Sequence, residues 1–95
     1  MIKVLAKNFA KENKIDKILE LAKELVEKTV KEVGCIKYEM YQNKKEPTEL
    51  IMLEEWETEE DLNNHMSSKH FIRIVPQMAE YLRKKAEINI YKKVI

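Results

Sequence analysis

Apolar and polar residues alternate near both ends of the chain. One face of the segment 2–10 carries Ile2, Val4, Ala6 and Asn8. Residues 86–95 alternate in the same way, with Ile88 and Ile90 on one face. Alternation over eight or more residues predicts a strand, because successive side chains of a strand point to opposite faces. We therefore predict the first strand at residues 2–10 and the last at residues 86–95.

A helical repeat follows the first strand. From Ile15 to Val30, apolar residues recur three and four positions apart, and Lys and Glu fill most of the other positions. This spacing predicts an amphipathic helix, with Asn13 as its N-cap. Gly34, the only glycine of the chain, falls after the helix. We expect it to adopt the left-handed conformation that ends the helix.

Two further strands are predicted at residues 35–43 and 49–57. The polar stretch 44–48 between them contains Pro47 and predicts a hairpin loop. Residues 50–53 read Leu-Ile-Met-Leu, so this strand is apolar on both faces. A sheet with one face in water alternates more strictly. We therefore expect both faces of this sheet to be covered.

A second helical region follows the third strand. Thr58 is a typical N-cap, and the acidic residues after it favour the start of a helix over residues 59–66. The pair Ser67–Ser68 interrupts this helix, and Ser68 can cap a further helix that runs to about residue 84. Pro76 lies inside that helix and predicts a bend or a break just before it.

The element order is therefore β-α-β-β-α-β, which predicts a ferredoxin-like α+β fold as one domain over residues 1–95. Four strands with helices on one face leave the other face of the sheet bare. A second copy of the chain is the simplest cover, because large exposed apolar patches are rare. We predict a homodimer that buries more than about 1,000 Å² in total, in the form of a dimeric α+β barrel.

Charge and composition exclude several classes of partner. The 18 basic and 17 acidic residues nearly cancel and are interspersed, so no basic stripe is present to bind nucleic acid. The apolar runs are far shorter than the ~20 residues that span a bilayer, so no membrane association is expected. The chain opens directly with a strand pattern, and its one cysteine cannot form an internal disulfide. These features favour the cytoplasm.

Three polar residues are candidates for chemistry. His65 and His70 can act as acid or base, because imidazole titrates near neutral pH. Taken alone, each is more simply interpreted as structural: His65 as a helix-end histidine and His70 as a first-turn surface residue. Asn8 occupies an apolar position of the first strand, and a buried amide needs hydrogen-bond partners. Those partners are either a ligand or the following loop.

Large apolar side chains can line a pocket or simply fill the core; the candidates are Tyr38, Tyr41, Met52, Trp56 and Phe71. No metal or nucleotide cofactor is expected. His65 and His70 are five residues apart, about 140° around a helix, and no carboxylate or cysteine completes a set at ligand spacing. One glycine cannot build a phosphate-binding loop. Cys35 is interpreted as a small buried residue rather than a nucleophile.

Two segments resemble the antibiotic biosynthesis monooxygenase family. Residues 32–38 match E-x-G-C-x-x-Y, and residues 54–71 match E-x-W-x-x-x-x-x-L-x-x-H-x-x-S-x-H-F. Val33 replaces the proline usual in the first motif. The resemblance implies a dimeric α+β barrel that oxygenates quinols or anthrones without metal or flavin. Such chemistry needs a dry pocket and a base that ionises the substrate.

Relatives of this family bring other activities. Some degrade haem with an Asn/Trp/His set, of which this chain matches only Asn8, since His65 and Val75 stand at the other two positions. Another isomerises a phosphorylated signalling sugar. We therefore predict a cofactor-independent monooxygenase for a small aromatic or quinol-like compound; the alternatives are a non-catalytic binder and an isomerase using the same pocket. We expect His65, facing inward with Leu62, to matter more than His70, whose ring is expected to stay in water.

Overall fold

The computed structural model describes residues 1–95. Its elements are β1 (Ile2–Phe9), α1 (Ile15–Thr29), β2 (Cys35–Gln42), β3 (Glu49–Trp56), α2 (Glu59–Met66), α3 (Lys69–Ala79) and β4 (Glu87–Lys92). The four strands form one antiparallel sheet in the order β2-β3-β1-β4. The predicted ferredoxin-like α+β fold is therefore confirmed. No helix has the length and apolar character needed to cross a membrane.

All three α-helices pack on one face of the sheet. Alternate residues of β1 and β3 point to this face and are buried against α1 and α3 in a single core; its members include Val4, Ala6, Leu50, Met52, Trp56, Ile18, Leu25, Ile74 and Met78. The opposite face carries the remaining residues of the central strands. There Leu5, Ile51 and Leu53 are only partly buried. The predicted one-sided arrangement of the helices follows from this alternation.

The connections around α1 differ from the prediction. Asn13 lies within a short 3-10 turn, Glu12–Lys14, and Lys14 precedes α1 without a side-chain cap. Gly34 has the expected left-handed backbone, with φ of 82°. However, α1 ends at Thr29, so Gly34 shapes the turn into β2 rather than the helix end. A Cβ at this position would overlap the Asp61 carboxylate, which is a second reason for glycine.

The helices after β3 begin as predicted. Thr58 Oγ1 accepts from the Asp61 backbone N–H at 3.1 Å, and Ser68 Oγ accepts from that of Phe71 at 3.3 Å. Pro76 does not break α3, which runs continuously to Ala79. The carbonyl that lacks its usual partner belongs to Ile72, on the exposed side of the helix, where water can bond it.

The prediction that α3 reaches residue 84 is wrong. The chain leaves the helix at Ala79 and then runs beside the end of β1. Leu82 forms a bridge with Ala10, and the Arg83 N–H donates to the Phe9 carbonyl at 2.8 Å. These backbone hydrogen bonds prevent α3 from continuing, and they hold residues 83–85 beside the carboxyl end of β1.

Candidate active site

A cavity of about 500 Å³ lies between the helix-covered face of the sheet and helices α2 and α3, and the segment 82–86 lines part of its wall. Most of its lining is apolar, from β1, β3, β4, α2 and α3. Of the residues predicted from sequence, it collects Asn8, Tyr38, Met52, His65 and Phe71. Trp56 and His70 do not line the cavity, although both rings lie beside His65, and Tyr41 is exposed on β2.

His65 is the most enclosed polar side chain of the site. It lies in the last turn of α2, facing inward with Leu62, and is 1% exposed. Three aromatic rings surround the imidazole, with centroid distances of 4.7 Å to Trp56, 5.0 Å to Phe71 and 5.1 Å to Tyr38. The predicted inward orientation of this histidine is therefore confirmed.

One carboxylate oxygen joins the two histidines. Glu32 Oε2 lies 2.7 Å from His65 Nδ1 and 2.7 Å from His70 Nε2. The expectation that no carboxylate completes a set with these histidines was wrong, because it considered spacing along the sequence. Glu32 comes from the turn after α1, and the two rings come from separate helices. The His70 side chain is 17% exposed, so its ring is mostly covered rather than in water.

These surroundings determine the protonation state of the His65 ring. Burial disfavours the imidazolium and lowers the pKa of His65 below its usual value, although the Glu32 hydrogen bond and charge oppose the shift. The ring is therefore neutral at pH 7. Assigning its proton to Nδ1 lets it donate to Glu32 and leaves a lone pair on Nε2. Nε2 is buried and has no protein partner.

Glu54 is a second buried acid–base group. It comes from the helix-facing side of β3, is 6% exposed and lines the cavity. Its Oε1 accepts from Trp56 Nε1 at 3.0 Å. Burial raises the pKa of Glu54 to about 7; the Trp56 hydrogen bond opposes the shift and the Glu32 charge adds to it. Near neutral pH this carboxyl can therefore either accept or donate a proton.

Two other titratable groups near the site, Tyr38 and Cys35, do not ionise at neutral pH. Burial, and the charges of Glu54 and Glu32, raise the pKa of Tyr38 far above its usual value. Burial, followed by the Glu32 and Glu54 charges, raises the pKa of Cys35 to about 11. Both therefore stay protonated, and a thiol is a poor nucleophile. This agrees with the interpretation of Cys35 as a packing residue rather than a nucleophile, although the residue is only partly buried.

Asn8 lies at the other end of the cavity. Its Nδ2 donates to the carbonyls of Ala6 at 3.3 Å and Leu50 at 3.4 Å, which are long hydrogen bonds. Val4, which pairs with Glu54, is four residues away along β1, about 14 Å at ~3.4 Å per residue. Asn8 is thus separated from His65 and Glu54, although all three line the same cavity.

Sequence reasoning missed both glutamates as site residues. Glu54 had a visible pattern, because Leu50, Met52, Glu54 and Trp56 share one face of a strand and a charged residue interrupts the apolar series. Glu32 precedes a turn and has no periodic pattern around it. Its role depends on where α2 and α3 place their histidines, which is a tertiary property.

Glu32, His65 and His70 also form a set of donors suitable for a transition metal. The donor atoms of Glu32, His65 and His70 all lie within 4.8 Å of one another. Two donors at ~2.0–2.1 Å from one ion and 90° apart lie about 2.9 Å from each other. The observed N···O distances of 2.7 Å are instead those of hydrogen bonds. In this conformation the cluster is a hydrogen-bond network.

Comparisons with known proteins agree with this architecture. A crystal structure of a conserved protein from Methanosarcina mazei is 47% identical with a TM-score of 0.97, covering 98% of this chain and 92% of that one. A crystal structure of an antibiotic biosynthesis monooxygenase is 35% identical with a TM-score of 0.95, covering both chains completely. An uncharacterised protein of Synechocystis is 31% identical over 82 residues.

The match to the Synechocystis protein covers 86% of this chain but 56% of the relative, so the chain spans little more than half of that protein. The sequence profile of the family described as "Antibiotic biosynthesis monooxygenase" matches residues 1–77. This is most of the chain, and it includes both segments that carry the resemblance as well as the Glu32–His65–His70 cluster. The chain therefore belongs to the antibiotic biosynthesis monooxygenase family.

Proposed function

We propose that the protein is a cofactor-independent monooxygenase that acts on a small aromatic or quinol-like compound, with His65 as its general base. One observation carries this proposal. His65 Nδ1 is held by Glu32, and its buried Nε2 has no partner. A neutral imidazole with one nitrogen fixed and the other without a partner can accept a proton from a ligand that reaches Nε2.

The chemistry can be followed through its protons and electrons. His65 Nε2 removes a proton from an acidic O–H or C–H of the substrate and leaves an electron-rich anion. The anion reduces O₂ and forms a C–O bond, which gives a hydroperoxide after protonation. Loss of water then converts a CH₂ group and O₂ into C=O and H₂O. The apolar lining excludes bulk water and favours the neutral imidazole that starts the sequence.

Glu54 can assist the later steps. Its raised pKa, about 7, keeps part of the carboxyl protonated at neutral pH. A protonated Glu54 can donate to the hydroxide that leaves when the hydroperoxide loses water. The proton that His65 first removes goes to the peroxide anion and gives the hydroperoxide. Neutral His65 then removes the second C–H proton as the O–O bond breaks, and this proton returns Glu54 to its acid form. His65 and Glu54 thus resemble pairs in other active sites, where different surroundings shift two pKa values so that one group acts as the base and the other as the acid.

Oxygen uptake with a quinol as substrate tests this function. We expect wild-type protein to consume O₂ with the quinol in excess of autoxidation, and a His65→Gln variant to lose this activity. Treatment with EDTA should leave the rate unchanged, because the proposed steps use no metal. A rate equal to autoxidation across a series of quinols and anthrones would reject the oxygenase.

A second candidate function is supported by Glu54. A base and an acid in one apolar cavity suit a keto–enol isomerase, which moves a proton between two positions and needs no O₂. Turnover that persists without oxygen would favour the isomerase. Saturable binding without turnover in either condition would favour a non-catalytic binding protein.

We also propose a homodimer and a cytoplasmic location. The sheet face away from the helices exposes part of Leu5, Ile51 and Leu53, beside an exposed Tyr41. A second copy packed on this face would bury them. Sedimentation as an 11.4 kDa monomer at micromolar concentration would contradict the dimer. The single free thiol, Cys35, supports the cytoplasm.

A further inference from the structure

Glu32, His65 and His70 converge from three separate segments of the chain. Glu32 lies in the turn after α1, His65 in the last turn of α2 and His70 in the first turn of α3. A hydrogen bond spans the junction of the two helices, because the Ser68 hydroxyl donates to the His65 carbonyl at 2.7 Å. The fold itself therefore brings one carboxylate oxygen and two imidazole nitrogens within 4.8 Å of one another.

The hydrogen-bond network of these three side chains is close to the geometry of a metal site. Two donors of one ion, at ~2.0–2.1 Å from it and 90° apart, lie about 2.9 Å from each other. The Glu32 oxygen lies 2.7 Å from each imidazole nitrogen, so each pair has to separate only slightly. The two nitrogens lie within 4.8 Å and have to come within about 4.2 Å, the largest separation of two such donors. Small rotations of the three side chains suffice for both changes.

The charges around the cluster also favour a cation. Glu32 forms ion pairs only with the two histidines, and the neighbouring Glu54 takes part in no ion pair. A carboxylate without a lysine or arginine partner attracts a divalent ion. The side chains of His70 and Glu32 are 17% and 15% exposed, so an ion can reach the cluster from solvent.

We infer that this cluster binds one divalent transition-metal ion, such as Zn²⁺, through Glu32, His65 Nδ1 and His70 Nε2. Imidazole nitrogen and carboxylate oxygen are donors that Zn²⁺ prefers, and two histidines with one glutamate form a known set for a site that keeps one position open. Mg²⁺ and Ca²⁺ prefer sets of oxygen donors. The proposed oxygenation uses no metal, so the ion takes no part in that chemistry.

The bound ion would change which nitrogen of His65 carries the proton. A neutral imidazole has one proton, and a metal ion at Nδ1 leaves Nε2 as its only place. Nε2 then becomes a hydrogen-bond donor and no longer accepts a proton from a ligand. Zn²⁺ should therefore inhibit the protein. This inhibition rests on the proposed function, whereas the binding of the ion rests on the donor set alone.

Zinc binding to untagged, metal-free protein tests the inference without any turnover. The chain has two histidines, and both belong to the cluster. Competition with a chromophoric chelator should show one Zn²⁺ per chain. Glu32→Gln and His70→Gln should each weaken binding by about ten-fold or more, since even the loss of a residue that only supports a metal ligand costs this much. Circular dichroism checks that both variants are folded.

The matched control removes a carboxylate elsewhere. Glu55 lies on the opposite face of the sheet, where it pairs with Lys3 and Lys37. Glu55→Gln changes the net charge as Glu32→Gln does and should bind Zn²⁺ as the wild type does. An equal loss of affinity in both variants would indicate a nonspecific effect of charge and would overturn the inference.

Two-bond ¹H–¹⁵N spectra of the imidazoles give a readout that needs no variant. One equivalent of Zn²⁺ should move the His65 proton from Nδ1 to Nε2, and Mg²⁺ should leave the spectra unchanged. Spectra that do not respond to Zn²⁺, the absence of saturable binding, or binding that persists in both Glu32→Gln and His70→Gln would overturn the inference.

The remaining outcomes separate this inference from the proposed function. Zinc binding that moves the His65 proton would support the inference even in a protein that consumes no oxygen, and only the oxygenase proposal would then fail. If quinols are oxidised, one equivalent of Zn²⁺ should remove most of the rate and EDTA should restore it. A full rate with the ion bound would overturn the inhibition.

Discussion

The two ends of the cavity are built in different ways. At the end that holds His65 and Glu54, each polar group is held by another, as when Glu32 binds both histidines and Trp56 donates to Glu54. At the end that holds Asn8, the side-chain amide makes only two long hydrogen bonds, and the neighbouring residues 83–85 are exposed. Pre-organised groups suit chemistry, whereas adaptable groups suit recognition. The comparison therefore predicts large effects on turnover at one end and smaller effects on affinity at the other.

The largest effect is expected at His65. Replacing it with Gln should lower turnover of a quinol about 10²- to 10³-fold, because the general base is lost. Glu32→Gln should have an intermediate effect, since the ring loses the carboxylate that fixes its proton on Nδ1. His70→Gln should cost less than about ten-fold, because the ring of His70 makes its only hydrogen bond to the Glu32 carboxylate. Initial rates normalised to folded protein give the ranking.

Circular dichroism and thermal unfolding control for damage to the fold in these three variants. A loss in His70→Gln equal to that in His65→Gln would reverse the roles of the two rings. Full activity in all three variants would remove histidine from the mechanism.

Glu54 should make the protein less stable as pH rises. Its folded pKa, about 7, exceeds the ordinary value of 4.5, so the folded state binds more protons than the unfolded chain between these values. The free energy of unfolding should therefore fall over this range by up to about 3 kcal/mol, because a tenfold change in proton affinity corresponds to ~1.36 kcal/mol. Urea unfolding at pH 4.5 and pH 7.5 measures the fall.

The variant Glu54→Gln should lose this part of the pH dependence, because the amide does not titrate. Glu55→Gln is the matched control, one residue along β3 and on the opposite face of the sheet, where it pairs with Lys3 and Lys37. It should keep the dependence. Identical pH profiles for Glu54→Gln and wild type would show that Glu54 titrates normally.

The smallest effect on stability is expected at Asn8. Its hydrogen bonds are long and the residue is only partly buried, so Asn8→Ala should cost less than about 1 kcal/mol of unfolding free energy. If Asn8 also hydrogen-bonds a ligand in the cavity, the affinity for a quinol should fall about three- to five-fold. Thermal unfolding with and without the quinol separates the two effects. A loss above ~2 kcal/mol with unchanged affinity would make Asn8 a purely structural residue.

Sequence periodicity was sufficient for the fold but not for the site. Alternation and helical spacing predicted all four strands and three helices, because burial on one face imposes those periods. The ends of α1 and α3 were predicted less well, since backbone bonds formed later in the chain, such as Arg83 to Phe9, decide them. The convergence of Glu32 with His65 and His70 depends on three separate segments, and no local pattern reports it.

The protonation state of His65 is the most direct test of the central claim. Two-bond ¹H–¹⁵N correlation spectra of the imidazoles, assigned with His65→Gln and His70→Gln, report which nitrogen carries the proton. At pH 7 we predict a neutral His65 with its proton on Nδ1 and a bare Nε2, and a loss of this preference in Glu32→Gln. A His65 that is an imidazolium at pH 7, or that carries its proton on Nε2, would contradict the assignment of His65 as the general base.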